Sequence, residues 1–345
     1  MPEDNSRYSR QVLFPGIGIS GQEKISNSRV VIVGCGALGT VQADALCRAG
    51  VGYLKLIDRD FVEESNLQRQ TLFSEEDVRQ ALPKSIAAQR RLSLVNSQVQ
   101  IDAVVTDLHR GNIEHLMSRM HCIVDATDNF ETRFLINDVA IKHKIPWIYG
   151  AAVGGQGLCM TILPGDTPCL RCVMESLPAA GTAPTCDTAG ILGPVANIVA
   201  SVQATETLKI LTGNLHLINR KLLHFDVWEN TWRSMEIASA RRQEDCPCCQ
   251  RGLFETLAER GQETTANILC GRDSVQVRLP QGRRCNLEHL AQRLERVGRV
   301  RVNEYLLCFQ CDPYEIAVFP DGRGIVRGTR DAQVARSLYS KYVGT

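Results

Sequence analysis

The hydrophobic pattern of the first 150 residues alternates between short apolar runs and longer segments with helical spacing. Strands are predicted at 30–33, 54–57, 99–105, 122–124 and 147–149, and helices are predicted around positions 43, 90 and 137. Uninterrupted β-branched runs are typical of strands buried on both faces of a parallel sheet. The alternation therefore predicts an α/β fold with a doubly wound, Rossmann-like, mostly parallel sheet that binds ligands at the carboxyl ends of its strands.

The pattern changes after residue 150. A strand is predicted within 151–165, then a Pro- and Gly-rich stretch at 176–194, an apolar helix over 194–212, and strands over 221–227 and 232–238. From 252 onward the pattern predicts a strand at 267–279, an amphipathic helix at 286–298, strands within 300–326 and a closing helix at 330–343. We therefore predict an N-terminal arm (1–28), an α/β domain (29–251) and a small α+β domain (252–345).

Composition and charge narrow the class of protein. The 345 residues are 44% hydrophobic and carry a formal net charge of +1, so the core is ample and a polyanion-binding surface is not the main feature. No apolar run approaches the length of a membrane span, and the polar N-terminus is not a signal peptide. We therefore expect a cytoplasmic protein without nucleic-acid or membrane partners, whose fourteen cysteines are reduced thiols, metal ligands or nucleophiles.

A glycine-rich motif follows the first predicted strand. Gly34, Gly36 and Gly39 form G-x-G-x-x-G, in which the glycines allow a tight turn, close approach of a phosphate and close packing of helix on strand. The phosphate would bind the free N–H groups at the helix N-terminus. Asp58 ends the next strand, where a carboxylate meets a ribose hydroxyl. The context predicts a site for an adenine nucleotide.

The residues after that carboxylate favour a triphosphate over a nicotinamide dinucleotide. Asn66, Arg69 and Gln70 follow it closely, and Lys84 begins the next predicted helix. Such cations suit a triphosphate, whereas a dinucleotide site needs few. Asp128 follows the strand at 122–124 and is suited to hold Mg²⁺ between phosphates. A lone aspartate after a strand is more often a helix cap, so the strand alone does not decide its role.

Two C-x-x-C pairs have the composition of a metal site. Cys169 and Cys172 form the first pair, and Cys246 and Cys249 form the second. Together they fit a closed tetrahedral Cys₄ zinc site. The pairs are about 70 residues apart, farther than in a compact zinc ribbon, so a redox dithiol remains the alternative for one pair. Cys248 is a spare thiol that could replace a ligand of the second pair.

Three other cysteines stand out. Cys186 lies in the polar, Pro-rich stretch just before a helix predicted to begin near Ala189, whose dipole would lower the thiol pKa. It is a candidate nucleophile, and the alternative is a small apolar packing residue. Cys308 and Cys311 form a third C-x-x-C, but strand alternation places them on opposite faces, which disfavours joint metal binding.

Taken in order, these motifs resemble the ThiF/MoeB/HesA family of adenylyltransferases, which is related to ubiquitin-activating enzymes. The shared features are RYSRQ at 7–11, GCGALG, D-x-D at Asp58 and Asp60, NLQRQ, the lysine at 84, DATDN with Arg133, the two cysteine pairs and TCDTAGILGP. The resemblance covers residues 5–250.

The resemblance implies acyl adenylation with ATP and Mg²⁺. The C-terminal carboxylate of a ubiquitin-like sulfur carrier ending in Gly-Gly would attack the α-phosphate, and a sulfur donor such as a cysteine desulfurase or a rhodanese would then react, in some members through the cysteine at 186. The implied catalytic residues are Arg69, Lys84, Asp128 and Cys186. The implied nucleotide-binding residues are Arg10, Gly34, Gly36, Gly39, Asp58, Asp60, Asn66, Arg69, Gln70, Lys84, Asp128 and Asn129.

The resemblance also implies a homodimer, in which Arg10 reaches the nucleotide of the partner subunit, and structural Zn²⁺ on the two cysteine pairs. The thiocarboxylate product would serve thiamine or molybdenum-cofactor synthesis, with thiamine favoured because the C-terminal domain lacks the signature loop of a rhodanese. That domain is expected to dock a protein partner or to stabilise the chain. The alternatives are a non-catalytic scaffold for a ubiquitin-like protein and a NAD-dependent oxidoreductase.

Overall fold

The computed structural model describes residues 7–174, 176, 186–241, 245–258, 266–268, 273–277 and 285–344. The chain divides into two compact units. The first comprises Met1–Val78 and Pro83–Glu259, and the second comprises Arg79–Leu82 and Arg260–Thr345. Within the described residues, no helix has both the length and the apolar character needed to span a membrane.

The first unit contains an eight-stranded sheet with the order β3-β2-β1-β4-β5-β6-β7-β8. Its strands are β1 (Arg29–Val33), β2 (Tyr53–Asp58), β3 (Gln100–Val105), β4 (Cys122–Asp125), β5 (Trp147–Val153), β6 (Gln156–Ile162), β7 (Leu222–Asp226) and β8 (Thr231–Met235). The five strands from β3 to β5 are parallel, and β6 to β8 continue the sheet in antiparallel fashion. The predicted mostly parallel α/β sheet is therefore confirmed.

Helices cover this sheet and form the N-terminal arm. They are α1 (Ser9–Val12), α2 (Gly18–Ser26), α3 (Ala37–Ala49), α4 (Glu75–Arg79), α5 (Lys84–Val95), α6 (Ile113–Met117), α7 (Phe130–His143), α8 (Leu170–Val173), α9 (Cys186–Ala189), α10 (Gly193–Thr212), α11 (Ala238–Arg241) and α12 (Glu255–Ala258). The prediction that a helix begins near Ala189 is wrong. α9 ends there because Gly190 has a φ of 72°, and α10 begins after the break.

The glycine-rich turn brings α3 close to β1. Gly34 has a φ of 96°, which an L side chain rarely adopts. A Cβ atom on Gly39 would lie 2.0 Å from the backbone O of Gly34, so only glycine permits this approach of helix to strand. The first turn of α3 is thereby fixed above the carboxyl end of β1.

In the part of the second unit that the structure describes, an antiparallel sheet is accompanied by two helices. The sheet has the order β11-β12-β13-β14-β10-β9, and the helices are α13 (Leu287–Leu294) and α14 (Ala332–Tyr342). The strands are β9 (Ala266–Ile268), β10 (Ser274–Val277), β11 (Arg299–Val302), β12 (Leu307–Cys311), β13 (Tyr314–Val318) and β14 (Gly324–Arg327). This is the predicted small α+β arrangement.

The third C-x-x-C lies on β12. Leu307, Phe309 and Cys311 point to the same face and contribute to the core that includes residues of both helices. Cys308, one position away from this alternation, points to the opposite face. The prediction that Cys308 and Cys311 are separated by the sheet is confirmed.

Candidate nucleotide site and thiol cluster

The carboxyl ends of β1 and β2 place Asp58 against the glycine-rich turn. One carboxylate oxygen of Asp58 accepts a hydrogen bond from Cys35 N at 2.6 Å, and the other accepts one from Asp60 N at 2.7 Å. Lys84, at the start of α5, is 3% exposed, and its Nζ lies 3.3 Å from Asp60 Oδ2. The turn, both aspartates and the lysine therefore form one connected group.

Burial perturbs the titration of this group. Burial raises the pKa of Asp58, and the nearby Asp60 carboxylate raises it further, whereas the Lys84 ammonium lowers it. Burial and the Asp58 charge also raise the pKa of the Cys35 thiol well above its usual range. A thiol with a raised pKa is a poor nucleophile, so Cys35 acts as a packing residue.

The segment after β2 buries two predicted side chains and brings one of them, Gln70, close to the turn. Asn66 is 1% exposed, ends a single 3₁₀ turn, and accepts a hydrogen bond from Glu63 N at 3.1 Å. Gln70 is 3% exposed, and a Cβ atom on Gly36 would lie 3.9 Å from its Nε2. The Oε1 of Gln70 is buried without a hydrogen-bond partner among the described residues. An unpaired buried acceptor costs stability, and the described residues supply no donor for this oxygen.

The two predicted phosphate-binding arginines lie outside this connected group. Arg69 is half-buried, and its Nη1 donates to Ser65 O at 2.9 Å. Arg10 is exposed on α1 of the N-terminal arm, and none of the contacts above involves it.

The loop after β4 is built around Arg133. The guanidinium lies 3.0 Å from Asp125 Oδ2 and donates from Nη2 to Thr127 O at 2.7 Å and to Gly150 O at 2.9 Å. Asp128, within the loop, is exposed. Asn129 is the N-cap of α7, with Oδ1 accepting from Thr132 N at 2.8 Å. The structure thus gives Asn129 a capping role and leaves the Asp128 carboxylate accessible.

Two features of the site were missed by sequence reasoning. Arg59 directly follows β2; its Nη1 lies 3.0 Å from Asp107 Oδ1 and its Nε lies 3.9 Å from Asp60 Oδ1. Burial lowers the pKa of Arg59, but the carboxylates of Asp107, Asp60 and Asp128 raise it by more. The sequence did offer a signal for this arginine, because Asp58 and Asp60 flank it directly.

The second missed feature is a pair of buried glutamines beneath the strand ends. Gln203 Nε2 donates to Asp125 O at 2.8 Å and to Ile148 O at 3.1 Å, and Gln42 Nε2 lies 2.6 Å from Gln203 Oε1. These bonds fix the ends of β4 and β5. Neither glutamine belongs to a motif, so no local pattern distinguishes either one from the other polar residues of its helix.

The structure brings the four thiols of both cysteine pairs together. The Sγ atoms of Cys169, Cys172, Cys246 and Cys249 all lie within 4.8 Å of one another. The closest contact between the pairs, Cys172 to Cys249, is 3.4 Å. Four converging thiols are the donor set of a tetrahedral structural zinc site. Cys248 lies outside this set, and its Sγ accepts a hydrogen bond from Asn137 Nδ2 at 3.3 Å.

Cys186 is the first residue of α9, and its side chain lies outside the described residues. No helix begins near Ala189: the four residues of α9 end there, and the longer α10 begins only at Gly193, so the dipole next to the thiol is limited to that of α9. The helix argument for a lowered thiol pKa is therefore weaker than the sequence indicated.

The fold and these contacts define a nucleotide-binding α/β protein with a separate four-thiol cluster. The chain belongs to the ThiF family, whose sequence pattern matches residues 8–248.

Relatives and solved structures agree with this assignment. The chain is 46% identical over 339 residues to the sulfur carrier protein ThiS adenylyltransferase of Bacillus subtilis, covering 98% of this chain and 99% of the relative. It is 38% identical over 247 residues to the Escherichia coli protein of the same name, covering 71% and 95%. It is 38% identical over 303 residues to the adenylyltransferase and sulfurtransferase MOCS3 of Danio rerio, covering 88% of this chain and 62% of the relative. The structure of Escherichia coli MccB with ATP superposes with a TM-score of 0.61 at 25% identity, covering 71% of this chain and 75% of MccB.

Proposed function

We propose that this protein adenylylates the C-terminal glycine of a ThiS-type sulfur carrier for thiamine synthesis. The observation that carries the proposal is the connected group of the glycine-rich turn, Asp58, Asp60 and Lys84 at the ends of β1 and β2, in a chain of the ThiF family. The thiamine branch is favoured because the similarity to the Bacillus subtilis relative extends over nearly the whole of both chains. The MOCS3 relative of Danio rerio, in contrast, is covered over 62% of its length.

The chemistry follows from the groups present. A carrier carboxylate oxygen attacks the α-phosphorus of ATP, the bond from that phosphorus to the bridging oxygen breaks, and pyrophosphate leaves. A carboxylate is already a competent nucleophile, so the protein supplies positioning and neutralises phosphate charge. We assign Asp58 to the ribose, Lys84 and Arg69 to the phosphates, and Asn66 and Gln70 to the support of the same site.

Two metal ions belong to the proposal. The accessible Asp128 carboxylate fits Mg²⁺, which one or two carboxylates typically hold together with the phosphates. Such an ion would offset the charge of the leaving pyrophosphate. The four converging thiols fit Zn²⁺, which would link the segments at 169–172 and 246–249 and has no part in the chemistry.

We further propose that the protein acts as a homodimer through its N-terminal arm. Leu13, Phe14 and Ile19 are 70%, 62% and 56% exposed, an apolar set that a second copy of the chain would cover. Arg10 of one subunit would then reach the nucleotide of the other. Mixing Arg10→Ala with Asp128→Ala tests this, because each heterodimer would contain one complete site. We expect about a quarter of wild-type activity from the mixture, whereas no recovery would exclude a shared site.

The edge of the sheet offers a surface for the carrier. Trp228, Trp232 and Met235 are 75%, 57% and 42% exposed on the hairpin of β7 and β8, and β8 is an edge strand. Exposed tryptophans on an unpaired edge are typical of protein contacts. We assign this hairpin to the folded body of the carrier, whose tail would extend to the nucleotide.

The final step of the proposal is sulfur transfer. The terminal sulfur of a persulfide on a donor, such as a cysteine desulfurase or a rhodanese, would attack the acyl adenylate and displace AMP, which leaves an acyl disulfide. A second thiol would then attack that disulfide, releasing the carrier thiocarboxylate and forming a new disulfide with the donor cysteine. Cys186 is the candidate for relaying this sulfur. Comparing adenylation with thiocarboxylate formation in Cys186→Ala separates the two steps, because only the second requires the thiol.

Pyrophosphate exchange tests the adenylation itself. We expect labelled pyrophosphate to enter ATP only with Mg²⁺ and an intact ThiS-type carrier, and not with a carrier lacking its terminal glycine. Asp128→Ala should abolish exchange with an unchanged melting temperature. Asp44→Ala, on the outer face of α3, is the matched control and should retain it.

Three outcomes would contradict the proposal. Wild-type exchange in Asp128→Ala would remove that residue from the site. Tight binding of the carrier without pyrophosphate exchange would support the alternative of a non-catalytic scaffold for a ubiquitin-like protein. Binding of a nicotinamide dinucleotide without pyrophosphate release would support the alternative that the protein is a NAD-dependent oxidoreductase.

A further inference from the structure

Asn137 contacts both arms of the thiol cluster. This residue lies in the middle of α7 and is fully buried. Its Oδ1 accepts a hydrogen bond from Leu170 N at 2.8 Å, and its Nδ2 donates to Cys248 Sγ at 3.3 Å. Leu170 lies within the first Cys pair, and Cys248 lies within the second. One amide side chain therefore bridges two segments that are distant in sequence.

The next residue of α7 supports the same junction. Asp138 Oδ2 accepts a hydrogen bond from Thr256 N at 2.9 Å, just beyond the second Cys pair. Asp138 Oδ1 lies 3.5 Å from Nε of Arg171, which is inside the first pair. Arg171 Nη2 donates in turn to Thr256 Oγ1 at 2.9 Å. Both pairs are thus attached to α7 through side chains that are not metal ligands.

We propose that Asn137 is the positioning residue that holds the two Cys pairs in register for a metal ion. Cys169 and Cys246 are 77 residues apart, so bringing their thiols together carries a loop-closure cost that a bridging side chain on a rigid helix reduces. The bridge needs an acceptor for Leu170 N and a donor for Cys248 Sγ. Asparagine supplies both from one planar group, whereas aspartate supplies only the acceptor and alanine supplies neither.

Metal affinity separates this role from ordinary core packing. We expect Asn137→Ala to bind Zn²⁺ about 10- to 100-fold more weakly than wild type, the usual effect of removing a group that orients metal ligands. Asn137→Asp should lose less Zn²⁺ affinity, because its carboxylate still accepts the hydrogen bond from Leu170 N. Val139→Ala is the matched control: Val139 is a fully buried apolar residue of the same helix. This control should lower the melting temperature but bind Zn²⁺ as wild type does.

The measurement is competition for Zn²⁺ between the full-length protein and a chromophoric chelator, with the absorption of bound Co²⁺ as a second readout. Wild-type affinity in Asn137→Ala, or an equal loss in Val139→Ala, would overturn the proposal. If Asn137→Ala does not fold, the comparison of Asn137→Asp with Val139→Ala decides by the same criterion. Neither readout depends on adenylation, so a negative result here would leave the proposed function untouched.

Discussion

Substituting Arg133 with methionine should destabilise the first unit more than most single changes. The Arg133 side chain is nearly buried and binds the Asp125 carboxylate and the carbonyls of Thr127 and Gly150. Methionine fills a similar volume but provides no donor. The Asp125 side chain is fully buried, so its charge would be left without its cationic partner.

The expected loss follows from these contacts. Removing one partner of a buried ion pair costs about 3–5 kcal/mol, because the remaining charge stays buried. The two carbonyls that lose a donor add about 1 kcal/mol each. Since a folded domain is stable by only about 5–15 kcal/mol, the loss should be a large part of the total. Removing both charges, in Asp125→Asn with Arg133→Met, should cost less than the sum of the single changes.

The assay is urea unfolding followed by tryptophan fluorescence, which reports on the first unit alone. All three tryptophans of the chain, Trp147, Trp228 and Trp232, lie in that unit, and only Trp147 on β5 is buried. Wild type, each single variant and the double variant form a complete cycle. A loss below about 1 kcal/mol for Arg133→Met would show that Asp125 is solvated or differently paired, and would refute this reasoning.

Three further predictions concern the nucleotide site and the surfaces. Because burial raises the pKa of Asp58, the folded state binds the carboxyl proton more tightly than the unfolded state does, and the free energy of unfolding should fall as pH rises from about 3.9 through the raised pKa. Melting temperatures measured across this pH range should show the fall in wild type and not in Asp58→Asn. Trp228→Ser with Trp232→Ser should raise the KM for the carrier about 30-fold without changing kcat in pyrophosphate exchange, and an unchanged KM would remove the hairpin from the interface. Leu13→Asp with Phe14→Asp should give a monomer in sedimentation, and a persistent dimer would exclude the arm as the contact.

The sequence was sufficient for features whose signal is local. The order of strands and helices follows from apolar runs and their spacing, and Gly34 and Asp58 could be placed because each directly follows or ends a strand. The carboxyl ends of neighbouring parallel strands meet at one edge, so this placement also brought the residues together. The two cysteine pairs could be proposed as zinc ligands because C-x-x-C is a common spacing of zinc-binding thiols, whereas their wide separation left the pairing into one site open.

Features that depend on distant contacts were not predictable in this way. Asn137, Gln203 and Arg59 each contact partners that lie far away in sequence. An isolated buried amide has the same local pattern whether it bridges two loops or caps a carbonyl. The helix predicted near Ala189 failed for a different reason: the apolar pattern continues through Gly190, but its positive φ interrupts the helix.

One helix carries side chains that contact both the thiol cluster and the loop after β4. Arg133 and Asn137 are four residues apart on α7, so they lie on the same face and about 6 Å apart along its axis. Asp128 immediately precedes the N-cap of the same helix. The loop that carries Asp128 and both cysteine segments are therefore attached to the same helix.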